Sequence, residues 1–270
     1  MGKLGRFVAR LVCLKRFVLK GNGGAYNVHR AERLAIGLRV FRAHRALRQQ
    51  SASTLGEQLF LVNAILALPK DTPGEIAEFG CFKGASSVAL SIAAKHTNRK
   101  LLVFDSFEGL PEPEHSVSNI HDGKTVGYEK GAYKGTLDEV RQNITQHGEI
   151  GITSFVVGFF NETLSVRPAH EKYCAIFEDA DLVSSVRDVL TYAWPKLAAN
   201  GVFLCHEARD LEVVQLFYDK HFWQSEFNSA APGLVGAGFG VPTDAGAFND
   251  RNQAQLVFNY GSHLGYVYKS

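Results

Sequence analysis

Cysteine is scarce in this sequence, and no two cysteines are spaced as a metal-binding or disulfide motif. The four residues Cys13, Cys81, Cys174 and Cys205 stand far apart and form no CxxC pair. Their isolation argues against a disulfide-stabilised scaffold and against a zinc ribbon. We therefore expect the protein to work in a reducing compartment, the cytoplasm.

A long uncharged hydrophobic run is also missing. The uncharged stretch 58–69 is too short to span a bilayer, and the longer stretch 227–243 contains two prolines and several glycines. Transmembrane helices are therefore not expected. With 270 residues, of which 46% are apolar and 21% are charged, the chain has enough apolar material for a globular domain with a sizeable core.

Acidic residues are nearly absent from the first fifty positions. This stretch holds 12 Lys and Arg residues and one acid, Glu32, whereas the other 220 residues hold 17 basic and 26 acidic residues. The small net charge of +2 therefore hides a strong asymmetry between the two parts. We interpret residues 1–50 as a basic helical arm and residues 51–270 as the main, acidic domain.

The arm is predicted to contain two helices. Apolar residues recur every three or four positions in 4–18, which predicts an amphipathic basic helix, and a second helical stretch is predicted over 31–50. Three interpretations stay open: an extension packed on the body or on a second subunit of a homo-oligomer, a peripheral membrane anchor attracted to anionic lipid, or a targeting or nucleic-acid-binding segment. Lys15 and Arg16 interrupt the apolar segment, which argues against a secretory signal. No basic motif interleaved with aromatic residues occurs, so no nucleic-acid partner is expected.

Beyond the arm, the sequence alternates short apolar strands with helices. Five strands separated by helices are predicted at 75–80, 100–105, 153–158, 174–179 and 201–206. A helix is predicted over 211–222, and the apolar stretch from about residue 255 suits a closing pair of antiparallel strands. This pattern predicts an α/β fold: a Rossmann-like, doubly wound and mostly parallel sheet of seven strands with an N-terminal helical extension. Ligands of such sheets bind at the carboxyl ends of the strands.

The turn after the first predicted strand has the composition of a nucleotide site. It reads Glu78-Phe-Gly80-Cys-Phe-Lys-Gly84, where Gly80 allows a tight turn and a close approach of the backbone to a ligand. Phe82 stands where the dinucleotide fingerprint has its middle glycine, and no Tyr-x-x-x-Lys pair lies near the fourth strand. Both features count against a nicotinamide-dependent oxidoreductase. Asp105 ends the second strand and offers the paired oxygens that two ribose hydroxyls need.

Three motifs make the sequence similar to a known family. Residues 78–87 (EFGCFKGASS), 105–111 (DSFEGLP) and 179–182 (DADL) resemble the macrocin O-methyltransferase (TylF/MycF-like) family of class I S-adenosylmethionine-dependent methyltransferases. The resemblance extends over roughly residues 55–210. It implies a class I methyltransferase domain, S-adenosylmethionine as the cofactor, and a hydroxyl of a sugar or glycosylated small molecule as the methyl acceptor.

The resemblance also implies roles for single residues. The expected cofactor-binding residues are Glu78, Gly80 and Gly84 around the methionine part, Asp105, Ser106 and Phe107 at the ribose, and Gly158 and Phe159 near the adenine. Residues 112–135 are expected to form a lid over the acceptor.

For the chemical centre, the resemblance implies a divalent metal held after the fourth and fifth strands. Asp179 matches the family's first acid, but His206 and Glu207 stand where the family has two aspartates. Mg²⁺ prefers oxygen ligands, and an imidazole shifts the preference toward a transition ion. We therefore assign Asp179, His206 and Glu207 as the candidate catalytic and metal-binding residues. In a second interpretation His206 is a general base that needs no metal, and in a third the two strand-end residues only bond their surroundings.

Two functions other than O-methylation stay open. Because His206 and Glu207 replace the family's two acids, the chain could be a catalytically degenerate methyltransferase fold that acts as a membrane- or partner-binding module. An NAD-dependent oxidoreductase on a similar sheet is the other alternative, disfavoured by Phe82.

Overall fold

A computed structural model describes residues 3–243 and 262–270. Its strands are β1 Glu75–Phe79, β2 Leu101–Asp105, β3 Val117–Ser118, β4 Thr125–Val126, β5 Thr153–Val157, β6 Tyr173–Glu178, β7 Leu197–Cys205 and β8 Gly265–Tyr268. Six of them form the central sheet in the order β5-β2-β1-β6-β7-β8, while β3 and β4 form a separate hairpin. The first five strands of the sheet are parallel, and β8 runs antiparallel to β7.

Helices cover both faces of this sheet. They are α1 Lys3–Lys20, α2 Arg30–Ala46, α3 Leu55–Ala67, α4 Ala85–Thr97, α5 Leu137–His147, α6 Phe160–Thr163, α7 Val183–Ala193, α8 Leu211–Leu216 and α9 Lys220–Phe227. Buried side chains of α1 to α5 form one apolar cluster with one face of the sheet. Those of α7 to α9 form a second cluster with the other face. The strands are accordingly apolar on both sides, and all six residues of β6 are buried.

The strand order reverses between β1 and β6. From β1 the chain proceeds to β2 and β5 on one side, whereas β6 is followed by β7 and β8 on the other. Such a switch point leaves a crevice beyond the carboxyl ends of the two strands, because the connections leave in opposite directions. The fold therefore places residues that follow β1, β2, β6 and β7 around one opening.

The structure confirms the predicted α/β fold with its doubly wound, mostly parallel sheet. The described residues contain six of the seven predicted strands, and the first strand of the closing pair, expected from about residue 255, lies outside the described residues. The helix predicted over 211–222 is wrong, since two helices, α8 and α9, occupy this region. The Asp219 side chain accepts hydrogen bonds from the N–H groups of His221 and Phe222 and so begins a new helix there.

The two helices of the arm pack on the same face of the sheet as α3 and α4. Cys13 and Phe17 of α1 are buried in that apolar cluster. Gly37 of α2 allows close packing, because a Cβ atom there would lie 2.5 Å from Cδ1 of Leu14. The division of the chain at residue 50 stays a prediction. None of the helices in the described ranges is long and apolar enough to cross a membrane.

Candidate active site

A cleft of about 760 Å³ opens at the carboxyl ends of β1, β2, β6 and β7. Its outer wall is residues 106–135, which we call the cleft loop, and α7 forms part of the opposite wall. The cleft loop carries the β3–β4 hairpin. It is fastened to the body where the N–H of Ser118 donates to Oε2 of Glu212 at 2.7 Å. The predicted lid over residues 112–135 thus lies along this cleft.

The glycines of the β1–α4 turn are required by the fold itself. Gly80 has a φ of +83°, and a Cβ atom on it would collide with the carbonyl oxygen of Asp179. Gly84 has a φ of +81°, and its Cβ would lie 3.0 Å from Val140 of α5. Phe82, which replaces the middle glycine of the dinucleotide pattern, has a φ of +48° and lines the cleft. An aromatic side chain thus stands at the position where a dinucleotide-binding fold has a glycine without a side chain.

Asp105 lies in the cleft at the end of β2. Its Oδ2 accepts a hydrogen bond from the N–H of Cys81 at 2.8 Å, and its Oδ1 accepts one from the N–H of Phe107 at 2.7 Å. Burial raises the pKa of this carboxyl, while the two N–H donors oppose the rise. A carboxylate has about four lone-pair positions, so hydroxyl donors can share this carboxyl with the N–H groups. The geometry therefore suits recognition of a diol.

The other predicted cofactor residues divide into two groups. Gly80, Ser106 and Phe159 line the cleft together with Asp105, whereas Glu78, Gly84, Phe107 and Gly158 are not among the residues that line it. Phe107 packs edge-on against Phe155, with ring centroids 6.1 Å apart. The cofactor-binding roles of both groups stay predictions.

Glu78 is a fully buried carboxyl group in β1. Burial raises its pKa to about 8, since a charge in apolar surroundings is unfavourable. The Ser86 and Ser87 hydroxyls act on it and oppose the rise of its pKa. Burial therefore favours the neutral form of this side chain.

The three predicted catalytic residues come together because β6 and β7 are neighbours. Asp179 follows β6, and His206 and Glu207 follow β7. His206 Nδ1 lies 3.1 Å from Asp179 Oδ1. One ligand atom from each of the three residues falls within 4.8 Å of the other two. This spacing is compatible with three ligands of one divalent ion.

Buried acids crowd this centre. Burial raises the pKa of Asp181 to about 8 and that of Glu178 to about 7, and raises the pKa of Glu207 strongly. Burial alone would lower the pKa of His206, but the neighbouring carboxylates, Asp179 foremost, outweigh it and raise the pKa to about 10. The centre thus retains protons that a cation could replace.

Two residues that the sequence analysis missed complete the surroundings of His206. Glu57 of α3 is buried, and its Oε1 lies 3.8 Å from His206 Nε2 and accepts a 2.7 Å hydrogen bond from the N–H of His263. The His263 ring stacks on that of His206 at 5.5 Å. The sequence does show Glu57 as the partner of Thr54 in a helix capping box. It gives no sign of the contact with His263, which is 206 positions away.

The charge of the cleft lining is strongly one-sided. Nine carboxyl groups line it, and no Lys or Arg of residues 3–243 and 262–270 does. Tyr128 and Tyr133 of the cleft loop face this acidic surface, where burial and the charge of Asp181 raise the pKa of both phenols. An aromatic and acidic wall favours neutral or cationic ligands over anionic ones.

Comparison with known proteins gives matches in sequence and in fold. Residues 60–227 match the family described as Macrocin-O-methyltransferase (TylF). The chain is 30% identical over 146 residues to the 8-demethyl-8-(2,3-dimethoxy-alpha-L-rhamnosyl)-tetracenomycin-C 4'-O-methyltransferase of Streptomyces olivaceus. That match covers 53% of this chain and 55% of the relative.

A second relative, the mycinamicin III 3''-O-methyltransferase of Micromonospora griseorubida, is 26% identical over 169 residues, which cover 57% of this chain and 64% of the relative. The chain thus spans somewhat over half the length of the curated relatives it matches. Among solved structures, the O-methyltransferase NovP has a TM-score of 0.60 at 17% identity and covers 88% of this chain and 98% of its own. The calicheamicin methyltransferase CalS11 has a TM-score of 0.51 at 16% identity and covers 88% and 92%. These two structures support the fold.

Proposed function

Because the chain belongs to the macrocin O-methyltransferase (TylF) family, we propose that it transfers a methyl group from S-adenosylmethionine to a hydroxyl of a sugar or glycosylated small molecule. One observation carries this proposal. A single cleft contains both Asp105, at the tip of β2, and the Asp179, His206 and Glu207 cluster. Cofactor and acceptor hydroxyl can therefore meet in one cleft.

The residues at the tips of β1 and β2 fit the cofactor. Asp105 has acceptor capacity left for the two ribose hydroxyls, and Gly80 keeps the neighbouring wall free of a side chain. Phe159 lines the same cleft. S-adenosylmethionine supplies a methyl group that its sulfonium already activates. The chain's main task is then to align the acceptor oxygen with that methyl group and to keep water out.

The Asp179, His206 and Glu207 cluster fits a divalent ion. Its donors are two carboxylates and an imidazole within 4.8 Å, and the raised pKa values of the surrounding acids indicate a need for positive charge. Such an ion, when bound, lowers the pKa of an acceptor hydroxyl. The imidazole favours a transition ion over Mg²⁺.

The metal-free interpretation is less favoured by the same geometry. Asp179 and Glu57 flank the His206 ring, and their carboxylates keep a proton on it at neutral pH. A protonated imidazole cannot accept the proton of a hydroxyl. We therefore propose that Asp179 and Glu207 bind the ion together with a His206 that gives up its proton on binding.

The acidic lining of the cleft bears on the acceptor. Nine carboxyl groups line the cleft and no Lys or Arg of the described chain does, so those carboxyls that are ionised would repel the diphosphate of a nucleotide-activated sugar. We infer that the acceptor is a neutral or amine-bearing glycoside. The name of the tetracenomycin relative likewise refers to a rhamnosyl compound.

Transfer of labelled methyl groups from S-adenosylmethionine tests the proposal. Simple glycosides and the same sugars as nucleoside diphosphates are compared as acceptors, with the Asp179→Asn variant as the control. We expect labelled glycoside with the wild type, little with the control, and little from the nucleotide sugars. Absence of transfer to any hydroxylated acceptor would favour the degenerate binding module. Preferred methylation of nucleotide sugars would refute the inference about acceptor charge.

Chelation tests the metal separately. Dialysis against a chelator should abolish transfer, and Mn²⁺, Co²⁺ or Zn²⁺ should restore it better than Mg²⁺. The His206→Asp variant supplies the family's acid and should shift the preference toward Mg²⁺. Full activity of the chelated enzyme would instead support the metal-free base. The homo-oligomer, the absence of a nucleic-acid partner and the cytoplasmic location stay predictions.

A further inference from the structure

Helix α1 has an exposed apolar stripe opposite its buried one. Its buried side is built from Ala9, Cys13, Leu14 and Phe17, which pack into the core. On the other side Val8, Leu11 and Leu19 are 42%, 43% and 46% exposed. Positions 8, 11, 15 and 19 follow helical spacing, so these side chains share one face with Lys15. The arm therefore exposes aliphatic side chains that it does not need for packing on the body, because the buried side of α1 makes that contact.

The arm that carries this stripe is strongly basic. Lys15 and Lys20 are exposed on α1, which contains no acidic residue. Helix α2 adds the exposed Arg42 and Arg45 and has Glu32 as its one acid. None of these four basic side chains is ion-paired with an acid of the described chain, whereas Arg39 is engaged with Glu149. Positive charge on the arm is thus left to act on a partner.

We propose that the exposed face of α1, formed by Val8, Leu11, Lys15 and Leu19, docks on an anionic lipid bilayer, with the exposed Lys20 at the end of the helix adding positive charge beside it. Lipid headgroups supply the negative charge, and the boundary below them accepts aliphatic side chains of an amphipathic helix that lies in the plane of the membrane. Because the buried side of α1 keeps its place in the core, docking requires no unfolding of the arm.

The charge distribution selects a bilayer over the other occupants. Two copies facing each other through this surface would bring the Lys15 charge of each copy onto a face that carries no acid to pair with it, which is unfavourable. Nucleic acid would use the basic groups but leaves the three exposed aliphatic residues without a role. The 220 residues beyond the arm carry 17 basic and 26 acidic residues, so an anionic membrane attracts the arm and repels the body. This opposition orients the chain with the arm toward the lipid.

Co-sedimentation of the full chain with vesicles tests the proposal. The vesicles are phosphatidylcholine alone or an equal mixture of phosphatidylcholine and phosphatidylglycerol. We expect binding to the anionic vesicles only, weakened by added salt. The Lys15→Glu/Lys20→Glu variant should bind about tenfold more weakly or worse. The Leu11→Ser/Leu19→Ser variant, which keeps every charge, should also lose most binding.

A matched control changes the same charge elsewhere. The Lys172→Glu/Lys220→Glu variant alters two exposed lysines outside the arm and should bind like the wild type. Circular dichroism checks that all variants are folded. The proposal is overturned by equal binding to neutral vesicles, by no binding to either kind, or by an equal loss in the control. It is also overturned if light scattering shows that the α1 substitutions break an oligomer while the wild type ignores vesicles.

Discussion

The cleft and the exposed face of α1 place opposite charges in opposite surroundings. In the cleft, Asp181 is half-buried and Glu207 is buried, and their pKa values rise because solvent is largely excluded. On α1, Lys15 and Lys20 are exposed bases beside exposed leucines. The acids are held by a network of fixed hydrogen bonds, such as that from the N–H of Asp181 to Glu207 at 3.2 Å. Lys15 and Lys20 form no ion pair with an acid of the described residues.

This difference separates two uses of charge. Buried charge is unfavourable unless it is neutralised, so a cluster of buried acids favours a cation or protons at a defined place. Exposed charge has little energetic consequence for folding and acts over distance on whatever surface approaches. The buried acids of the cleft therefore suit catalysis at one atom, and the exposed bases of α1 suit attachment of the chain to a charged surface. Substitutions in the two regions should therefore have separable effects.

The largest effect is expected from Asp179→Asn. Loss of this carboxylate should lower methyl transfer by about 100-fold or more, since charge-stabilising or acid–base groups contribute at that level. Vesicle binding should not change. The Lys15→Glu/Lys20→Glu variant should behave in the opposite way and retain full turnover of a soluble acceptor. Methyl transfer and vesicle binding are measured on each variant. A folded variant that lost the two properties together would contradict the separate roles of the cleft and of α1.

A smaller effect is expected on stability at Glu57. The Glu57→Ala variant leaves the N–H groups of Thr54 and His263 without their acceptor, which should cost about 2–4 kcal/mol in the free energy of unfolding. Thr54→Ala removes only the other half of the capping box and should cost about 1 kcal/mol. Urea denaturation compares the two. Equal losses would mean that the contact with His263 contributes nothing.

The pH dependence of stability should reveal Glu78. Its pKa is raised to about 8 in the folded chain. The free energy of unfolding is therefore highest below the unfolded pKa of this carboxyl, where both states are protonated, and it falls as the pH rises toward 8. Glu78→Gln should therefore be more stable than the wild type by about 1–3 kcal/mol above that pH, with little difference near pH 4.

The exposed Glu139 provides the control for this effect. The N–H of Thr136 lowers the pKa of its carboxyl, so its contribution to stability is present above the unfolded pKa and is lost in acid. Glu139→Gln should therefore destabilise the chain more at neutral pH than in acid. Denaturation curves at several pH values measure how the stability change of each variant depends on pH. If that dependence had the same sign for Glu78→Gln and Glu139→Gln, the raised pKa assigned to Glu78 would be contradicted.

The smallest effect is expected where the arm meets the body through charge. Arg39 of α2 and Glu149 form an ion pair of 2.8 Å whose side chains are 38% and 24% exposed. Solvent screens such a pair, so Arg39→Met should lower the free energy of unfolding by less than about 1 kcal/mol. A larger loss in urea denaturation would show that polar contacts, and not the buried Phe17 and Cys13, hold the arm.

The sequence predicts the sheet well because its strands are marked locally. The segment that became β6 is wholly apolar except for its last residue, and Gly80 and Asp105 mark the strand ends at which the cleft opens. Strand ends are informative since parallel strands bring their carboxyl ends to one edge. The assembly of Asp179 with His206 follows from the same rule.

Contacts between distant parts of the chain could not be predicted from the sequence. Glu57 appears as a helix cap, and nothing local indicates that it also contacts His206 and His263. The break between α8 and α9 depends on one capping side chain, Asp219, within an otherwise helical pattern. The exposure of Leu11 and Leu19 is equally hidden, because periodicity identifies a buried face but not what covers the opposite one.

Titration calorimetry with S-adenosylmethionine tests the central claim most directly. The wild type should bind, and Asp105→Ala, if its circular dichroism is unchanged, should bind about 10- to 100-fold more weakly, as expected for hydrogen bonds to a charged acceptor. Lys172→Ala is the control and should bind like the wild type. Equal affinity of the wild type and Asp105→Ala, or binding by neither, would contradict the placement of the cofactor at the tips of β1 and β2.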